Sequence, residues 1–554
     1  MTDTPAYPWW HGATIYQIYP RSFADTNGDG IGDLPGITAH LDHVASLGID
    51  ALWISPFFTS PMADFGYDVA DYRDVDPIFG TLVDFDALIA RAHDLDLRVI
   101  IDLVFAHTSD KHAWFTESRA GGAGTRGGDE HGNWAMKDWY VWADPKPDGT
   151  PPNNWQSVFG GPAWTWDARR GQYYYHQFLK EQPQLNVHNP EVQDALLEVV
   201  GFWLARGVDG FRFDALNHAM FDPKLRDNPV APPRENGAPR SRSYDFQRQT
   251  HSMGHPDVVG FVERIAAVCA DNATPVFNVA EVGGADPVPL MQAYTAGDNR
   301  LSSAYSFEFL YAPTLTGDHV AAALAQWHGH AGRHRDDKGL HQGWPSWAFE
   351  NHDAPRCVSR WAVAADRPAF ARVAMALLMA LRGNAFVYQG QELGLEQDDI
   401  PFELLQDPEA IANWPLTLSR DGCRTPMPWS PGHAQGGFTT GTPWLPLSAG
   451  NIAKGVSGQE SDEGSLLHLT RAVIAARRAS AVMRHGGHKL LVAEVGLVAF
   501  RRTLGGESVV CVFNLSTEAV DWPEDVPVEG EVLLAVNGAS AGALPGFGGV
   551  WLKV

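Results

Sequence analysis

The chain has 554 residues, of which 44% are hydrophobic, and it contains 55 glycines and 38 prolines. This composition is that of a loop-rich globular protein and excludes a disordered or fibrous chain. The length exceeds one ordinary domain but suits a barrel enlarged by insertions and an extra module. The formal net charge of -25 argues against nucleic acid and anionic membranes as partners, because a phosphate surface would repel it.

The four cysteines are too widely spaced for a disulfide framework or a zinc site, so we expect reduced thiols at Cys269, Cys357, Cys423 and Cys511. The amino end lacks a basic region followed by an apolar stretch. The longest apolar run, residues 373–381, is too short to span a bilayer. We therefore expect a cytoplasmic protein.

Eight β-like runs alternate with amphipathic helical stretches. In chain order they are ATIYQIY, ALWIS, LRVIIDLVF, GVDGFRFDA, TPVFNVAE, AYSFEF, SWAFE and NAFVYQG. Alternation of this kind predicts parallel strands joined by helices, and eight strands favour a closed α/β (β/α)8 TIM barrel. One helix is predicted from Pro190, because Asn189 can cap it, Pro190 fits its first turn and Gly207 can end it.

Two long connections interrupt the barrel pattern. Roughly eighty residues separate the third strand from the Pro190 helix, far more than the ~4–6 of a typical loop, which predicts an inserted domain. A second insertion follows the eighth strand, a last barrel helix is predicted over 463–478, and alternating runs then predict a C-terminal antiparallel β domain. The predicted segments are 1–104 and 173–394 for the barrel, 105–172 and 395–461 for the insertions, 462–481 for the last barrel helix and 482–554 for the β domain.

Three acidic residues stand where predicted strands end. Asp214 closes GFRFDA, Glu281 closes VFNVAE and Asp353 follows SWAFENH. Barrel enzymes carry their substrate-contacting residues at the carboxyl ends of the strands, so we expect the three carboxylates to converge there. His352 and His107 add hydrogen-bonding side chains at the same edge, although a lone histidine is more often structural.

The surroundings of two of these residues predict opposite protonation states. Period-two alternation puts Arg212 on the face of Asp214, and a nearby guanidinium keeps a carboxylate ionised. Glu281 follows apolar residues, with no positive charge near it in sequence, so burial should keep it protonated. A nucleophile beside a proton donor is the usual glycosidase arrangement. The alternatives are a structural Arg212–Asp214 ion pair and a helix-capping Glu281.

Segment 25–33, DTNGDGIGD, places oxygen ligands at alternate positions. Asp25, Asn27, Asp29 and Asp33 offer side-chain oxygens and Ile31 its carbonyl, while the glycines permit a tight curl. A glycine stands where an EF-hand requires its final Glu, and the segment follows a strand, so an EF-hand is excluded. The pattern favours a structural Ca²⁺ site, with a metal-free Asx-turn loop as the alternative.

Together these motifs resemble glycoside hydrolase family 13, the α-amylase family, and particularly its α-glucosidase and oligo-1,6-glucosidase branch. The resemblance spans nearly the whole chain and rests on DLVFAH at 102–107, GFRFD at 210–214, AEVGG at 280–284 and ENHD at 350–353. It implies Asp214 as nucleophile, Glu281 as acid/base and Asp353 as the residue that distorts and holds the sugar ring.

The resemblance also implies a set of sugar-binding residues. Tyr67 and Asp68 in GYD, with Arg424 in RDGCRTPMPW, look like the family's clamp on a non-reducing terminal glucose, with Tyr67 stacking and Asp68 and Arg424 pairing. His107, Arg212 and His352 match family residues that contact the same sugar. A pocket closed in this way implies release of single glucose units from chain ends.

The sequence departs from the family pattern at three positions. Ala106 stands where Asn usually precedes the histidine, which removes one hydrogen bond to neighbouring structure. Gln184 in QPQLN replaces a usual Asp, which weakens any calcium site there. Ala215 follows the nucleophile where 1,6-specific relatives carry Val, and the smaller residue favours α-1,4 bonds.

The implied activity is that of a retaining α-glucosidase on short, maltose-type α-glucosides, with transglucosylation and without an organic cofactor. A glucosyl-transferring isomerase of the trehalose or sucrose type is the alternative, because it shares the covalent intermediate and differs only in the acceptor. A non-catalytic relative such as a transporter-associated heavy chain is disfavoured, since those proteins lack the intact triad and carry a membrane span. The sequence makes no prediction about the oligomeric state.

Overall fold

A computed structural model describes residues 7–121, 136–233, 240–327, 343–417 and 419–554. Its centre is a closed barrel of eight parallel strands, which confirms the predicted fold. In chain order the first to eighth barrel strands are Thr14–Ile18, Ala51–Ile54, Arg98–Val104, Gly210–Asp214, Phe277–Val282, Ser303–Ser306, Trp344–Ala348 and Asn384–Tyr388. The eighth strand closes the barrel by pairing with the first, where Thr14 lies opposite Ala385.

Helices connect the barrel strands and also occur in the insertions. Before the seventh strand, the described residues form the helices Leu34–Ala39, Leu41–Ser46, Leu82–Asp94, Ala113–Ala120, Pro190–Ala205, Val258–Ala270, Val288–Thr295 and Gly317–Ala325. The later helices are Cys357–Trp361, Arg367–Ala380, Pro408–Asn413, Ala449–Ile452, Val456–Glu460, Leu466–Ala479 and Ala481–His485.

Local capping explains where two of these helices begin. The Pro190 helix starts as predicted, because the Asn189 side chain accepts the N–H of Glu191. The last barrel helix begins at Leu466 rather than at residue 463, because Ser465 is its N-cap and accepts the N–H of His468. In both helices, the first residue is set by the side chain that accepts a hydrogen bond from a backbone N–H of the first turn.

The insertion after the third strand contains a small antiparallel sheet. Its strands are Trp142–Ala143, Trp164–Asp167 and Gln172–Tyr175, with the last one in the middle. The predicted end of the insertion, residue 172, is therefore too early. The strand Gln172–Tyr175 pairs with the other two strands of the insertion and not with a barrel strand. A separate hairpin of Phe58–Thr59 and Asp71–Val75 follows the second barrel strand.

The C-terminal part is a five-stranded antiparallel sheet, as predicted. Its strands are Gly487–Glu494, Leu497–Leu504, Glu507–Asn514, Glu531–Val536 and Gly549–Lys553, and the last of these lies between the third and fourth. Phe500 and Phe513 share one apolar core with Leu377 of a barrel helix, so the sheet is anchored to the barrel.

All four cysteines are buried free thiols. Within the described ranges, no helix has both the length and the apolar character needed to cross a bilayer.

Candidate active site

Two of the predicted carboxylates meet at one guanidinium. Asp214 ends the fourth barrel strand and Glu281 lies near the end of the fifth. Arg212 places Nη1 2.6 Å from Oδ1 of Asp214 and Nη2 2.7 Å from Oε1 of Glu281. Because Arg212 is fully buried, these contacts fix the two carboxyl groups side by side inside the barrel mouth.

Two further residues, to which sequence reasoning assigned no role, orient this guanidinium. Asp102 accepts a hydrogen bond from Nη1 of Arg212 at 2.8 Å and is itself fully buried. The Tyr305 hydroxyl accepts from Nη2 of Arg212 at 2.9 Å and donates to Glu281 at 3.2 Å. Asp102 is the first residue of the DLVFAH motif. A carboxylate near the end of a predicted strand is the sequence feature from which its place in the site could have been predicted.

Burial governs the protonation of both carboxyl groups. It raises the pKa of Asp214 to about 7 and that of Glu281 to about 7, against the opposing effect of Arg212. No positive charge lies near Glu281 in the sequence, but the fold brings Arg212 into direct contact with it. The guanidinium therefore stabilises both carboxylates, and it does not by itself decide which of them carries a proton near neutral pH.

Asp353, beyond the seventh strand, has different surroundings. Its carboxylate lies 3.2 Å from Nε2 of His352, 2.8 Å from Nη2 of Arg424 and 3.4 Å from Nη1 of Arg420. Burial opposes its ionisation, but these neighbours outweigh burial and hold the pKa of Asp353 well below its usual range. Since burial lowers the pKa of His352 to about 3, the two arginines supply the permanent positive charge.

Arg420 is a buried residue that contacts several carboxylates, and sequence reasoning missed it. Besides Asp353, it contacts Asp64 at 3.1 Å and Asp407 at 2.8 Å. It thereby joins the loop after the second strand to the insertion after the eighth. Arg420 lies four residues before Arg424, so one short turn carries two arginines. This spacing is the sequence feature from which its role could have been predicted.

The predicted pairing of Asp68 with Arg424 is not found. Asp68 accepts hydrogen bonds from the Ser60 hydroxyl and from the N–H groups of Ala63 and Asp64, all at 2.9 Å. Arg424 instead donates to Asp353 and, at 2.6 Å, to the carbonyl of His352. No ion pair joins Asp68 to Arg424 in the part of the chain that the structure describes. Asp68 therefore shapes the loop after the second strand.

Tyr67 and His107 lie beside these groups. The Tyr67 ring is nearly parallel to that of His352, with centroids 5.4 Å apart, and its hydroxyl donates to Asp102 at 3.1 Å. His107 donates from Nε2 to the carbonyl of Tyr67 at 3.1 Å. Burial lowers the pKa of His107 to about 4, so its ring is neutral at pH 7. The structure thus brings Tyr67, His107 and His352 to one wall of the barrel mouth.

A cavity of about 470 Å³ opens where the fifth and sixth strands end. Its lining includes Gly284, Phe307 and Tyr311. The Tyr311 hydroxyl donates to the carbonyl of Asp353 at 3.3 Å, and the rings of Phe307 and Tyr311 stack with centroids 5.1 Å apart. Tyr311 therefore links the wall of this cavity to the backbone of Asp353, and the two stacked rings offer aromatic surface to a ligand.

The predicted calcium loop is closed by its own side chains. Asp25 accepts the N–H groups of Asn27, Gly28 and Gly30, and Asn27 and Asp29 accept those of Asp29 and Ile31. Asp33 caps the helix that begins at Leu34. The carboxylate, amide and carbonyl oxygens of this loop are the ligand types that hard cations such as Ca²⁺ prefer. However, the three carboxylates of this described loop do not gather within 4.8 Å as a ligand group. This geometry is that of the Asx-turn alternative, and calcium binding stays a prediction.

Comparison with known proteins gives consistent matches. The family model of the α-amylase catalytic domain matches residues 17–486. A probable α-glucosidase of Rhizobium meliloti (strain 1021) is 51% identical over 520 residues, covering 93% of this chain and 91% of its own. An oligo-1,6-glucosidase of Heyndrickxia coagulans is 36% identical over 557 residues, covering 93% and 94%. The crystal structure of an α-glucosyl transfer enzyme matches with a TM-score of 0.90 at 45% identity, covering 99% of this chain and 100% of that one.

Proposed function

Because this chain belongs to the α-amylase family of glycoside hydrolases, we propose that it is a retaining α-glucosidase that removes single glucose units from short α-glucosides. The observation that carries this proposal is the guanidinium of Arg212 shared by Asp214 and Glu281. It holds two carboxyl groups that are both poised to change protonation near neutral pH. One can then act as nucleophile while the other donates a proton.

The proposed reaction is a double displacement. Glu281 gives its proton to the glycosidic oxygen as the bond from that oxygen to the anomeric carbon breaks, and a carboxylate oxygen of Asp214 bonds to that carbon. Glu281 then takes a proton from water, whose oxygen replaces Asp214 at the anomeric carbon. We assign the proton to Glu281 because its side chain is the less exposed, at 6% against 12% for Asp214. The carboxyl groups are expected to lie about 5–5.5 Å apart during catalysis.

A terminal glucose would be held by the groups around Asp353. Arg424 and Arg420 keep Asp353 ionised. An ionised Asp353 would in turn favour an oxocarbenium-like transition state. Arg424 would therefore act on the sugar through Asp353, which it contacts at 2.8 Å.

The leaving sugar would occupy the cavity beside Tyr311. Ala215 directly follows the nucleophile in the chain, and its N–H donates to Glu281 at 3.1 Å. An alanine leaves room near the cleavage point, so we propose a preference for α-1,4 over α-1,6 bonds. Transfer of the glucosyl group to a sugar acceptor uses the same covalent intermediate, and the matched glucosyl transfer enzyme supports this side activity.

The test is a product analysis with maltose, isomaltose, sucrose and trehalose followed by NMR. We expect free glucose from maltose, with the α anomer formed first. First-formed β-glucose would contradict retention. Conversion of any of these sugars mainly into an isomeric disaccharide, without release of free glucose, would replace this proposal by the isomerase alternative.

A further inference from the structure

A second group of ligand-type side chains lies away from the catalytic carboxylates. His188, His255 and Asp257 each bring one ligand atom within 4.8 Å of the other two. His188 precedes the Pro190 helix, and the other two precede the helix Val258–Ala270. The rings of His188 and His255 are nearly perpendicular, with centroids 5.0 Å apart. The three residues thus join two barrel helices at their amino ends.

Hydrogen bonds orient both imidazole rings. Nε2 of His188 donates to the carbonyl of Phe221 at 2.8 Å, so Nδ1 is the ring nitrogen left for a metal. Nδ1 of His255 accepts the N–H of Asp257 in a long hydrogen bond of 3.3 Å, which a bound metal would replace. The Phe221 carbonyl therefore serves His188 as an outer-shell acceptor, the partner that commonly orients a metal-binding imidazole.

The Nδ1 atoms of both rings lie near one carboxylate oxygen. Oδ2 of Asp257 lies 3.7 Å from Nδ1 of His188 and 3.6 Å from Nδ1 of His255. These distances are too long for hydrogen bonds. They are close to the ~3.3 Å separation of neighbouring ligands around a tetrahedral ion with bonds of about 2.0–2.1 Å. A cation between the three atoms would have all of them as ligands.

We propose that His188, His255 and Asp257 bind a divalent transition-metal ion of the zinc class. Two imidazoles and one carboxylate are borderline ligands that select such ions over Ca²⁺ and Mg²⁺. The Asp257 side chain is 64% exposed, which leaves a fourth position open to water. Bound metal would link the segment after the nucleophile strand, through Phe221, to two barrel helices. Its role would be stabilisation, because none of the three residues contacts the catalytic carboxylates.

The experiment is a calorimetric titration of the full chain with ZnCl₂, after removal of metal by chelation and in the presence of excess Ca²⁺. We expect one Zn²⁺ per chain and a higher Tm when zinc is bound. His188→Gln and His255→Gln should each weaken binding by at least about tenfold. His251→Gln is the matched control, because His251 lies 3.7 Å from Asp222, a carboxylate that Arg226 already neutralises.

Circular dichroism and maltose hydrolysis verify that each variant is folded. Titration with Co²⁺ gives a second readout, since a four-coordinate site with imidazole ligands produces strong visible absorption that the two ligand variants should lose. The proposal is overturned if zinc does not bind, if the ligand variants bind as tightly as the native chain, or if His251→Gln weakens binding equally.

Discussion

Ala215→Val tests the proposed basis of linkage preference. Ala215 has φ 41° and ψ 40°, a left-handed conformation that costs a non-glycine residue about 1–2 kcal/mol and a β-branched residue more. Its N–H also holds Glu281. We therefore expect the valine variant to be slower and less stable with every substrate. This strain is common to all substrates, so it cancels in a ratio of catalytic efficiencies.

The ratio itself reports the contact with the leaving sugar. An α-1,4-linked sugar attaches through a ring carbon and needs room at the cleavage point, whereas an α-1,6-linked sugar is attached through a flexible methylene. One pocket contact is worth about 1–3 kcal/mol, so Ala215→Val should shift kcat/KM toward isomaltose over maltose by roughly tenfold. Ala215→Gly is the matched control, because it removes the strain and the methyl group while the N–H remains.

The assay is glucose release from maltose and isomaltose by the native enzyme and both variants, with kcat/KM for each pair. We expect a native preference for maltose that the glycine variant keeps or increases. A native preference for isomaltose would refute the proposed role of Ala215, and so would an unchanged ratio in the valine variant.

Further predictions concern the carboxylates of the candidate active site, Arg420 and the loop 25–33. Asp214→Asn should abolish maltose turnover while circular dichroism stays native, and retained turnover would exclude Asp214 as nucleophile. In the native enzyme, kcat/KM should fall as pH rises through about 7, because the proton donor is lost, and Glu281→Gln should remove this limb. Because burial raises the pKa of Glu281 from 4.5 to about 7, its ionisation costs stability as pH rises through that range. Glu281→Gln should therefore raise unfolding free energy by about 3 kcal/mol at pH 8 and little at pH 5, and equal gains at both would contradict the burial argument. Arg420→Gln should lower the free energy of unfolding, measured with denaturant, by about 3–5 kcal/mol, because the buried carboxylates of Asp64 and Asp407 lose their positive partner. Arg420→Lys keeps the charge and should lower it by less. Chelation should lower Tm if residues 25–33 bind calcium, and an unchanged Tm with no metal found by elemental analysis would contradict that site.

The sequence by itself determined the barrel and the carboxylates proposed for its chemistry. Strand alternation and helix signals depend on residues close together in the chain, so the eight strands and the start of the Pro190 helix were predictable. The rule that barrel chemistry lies at strand ends then singled out Asp214, Glu281 and Asp353. Burial of Glu281 was also predictable, because the residues before it are apolar.

Only the tertiary structure decided which charges meet. Arg212 contacts Asp102, 110 residues earlier in the chain, and Arg420 contacts Asp64, 356 residues earlier. Sequence spacing carries no information about such contacts, because they depend on how loops from different strands pack over the barrel. For the same reason the predicted Asp68–Arg424 pair was wrong. Each charged group at the mouth pairs with whichever buried partner the closed barrel brings nearest, since an unpaired buried charge is costly.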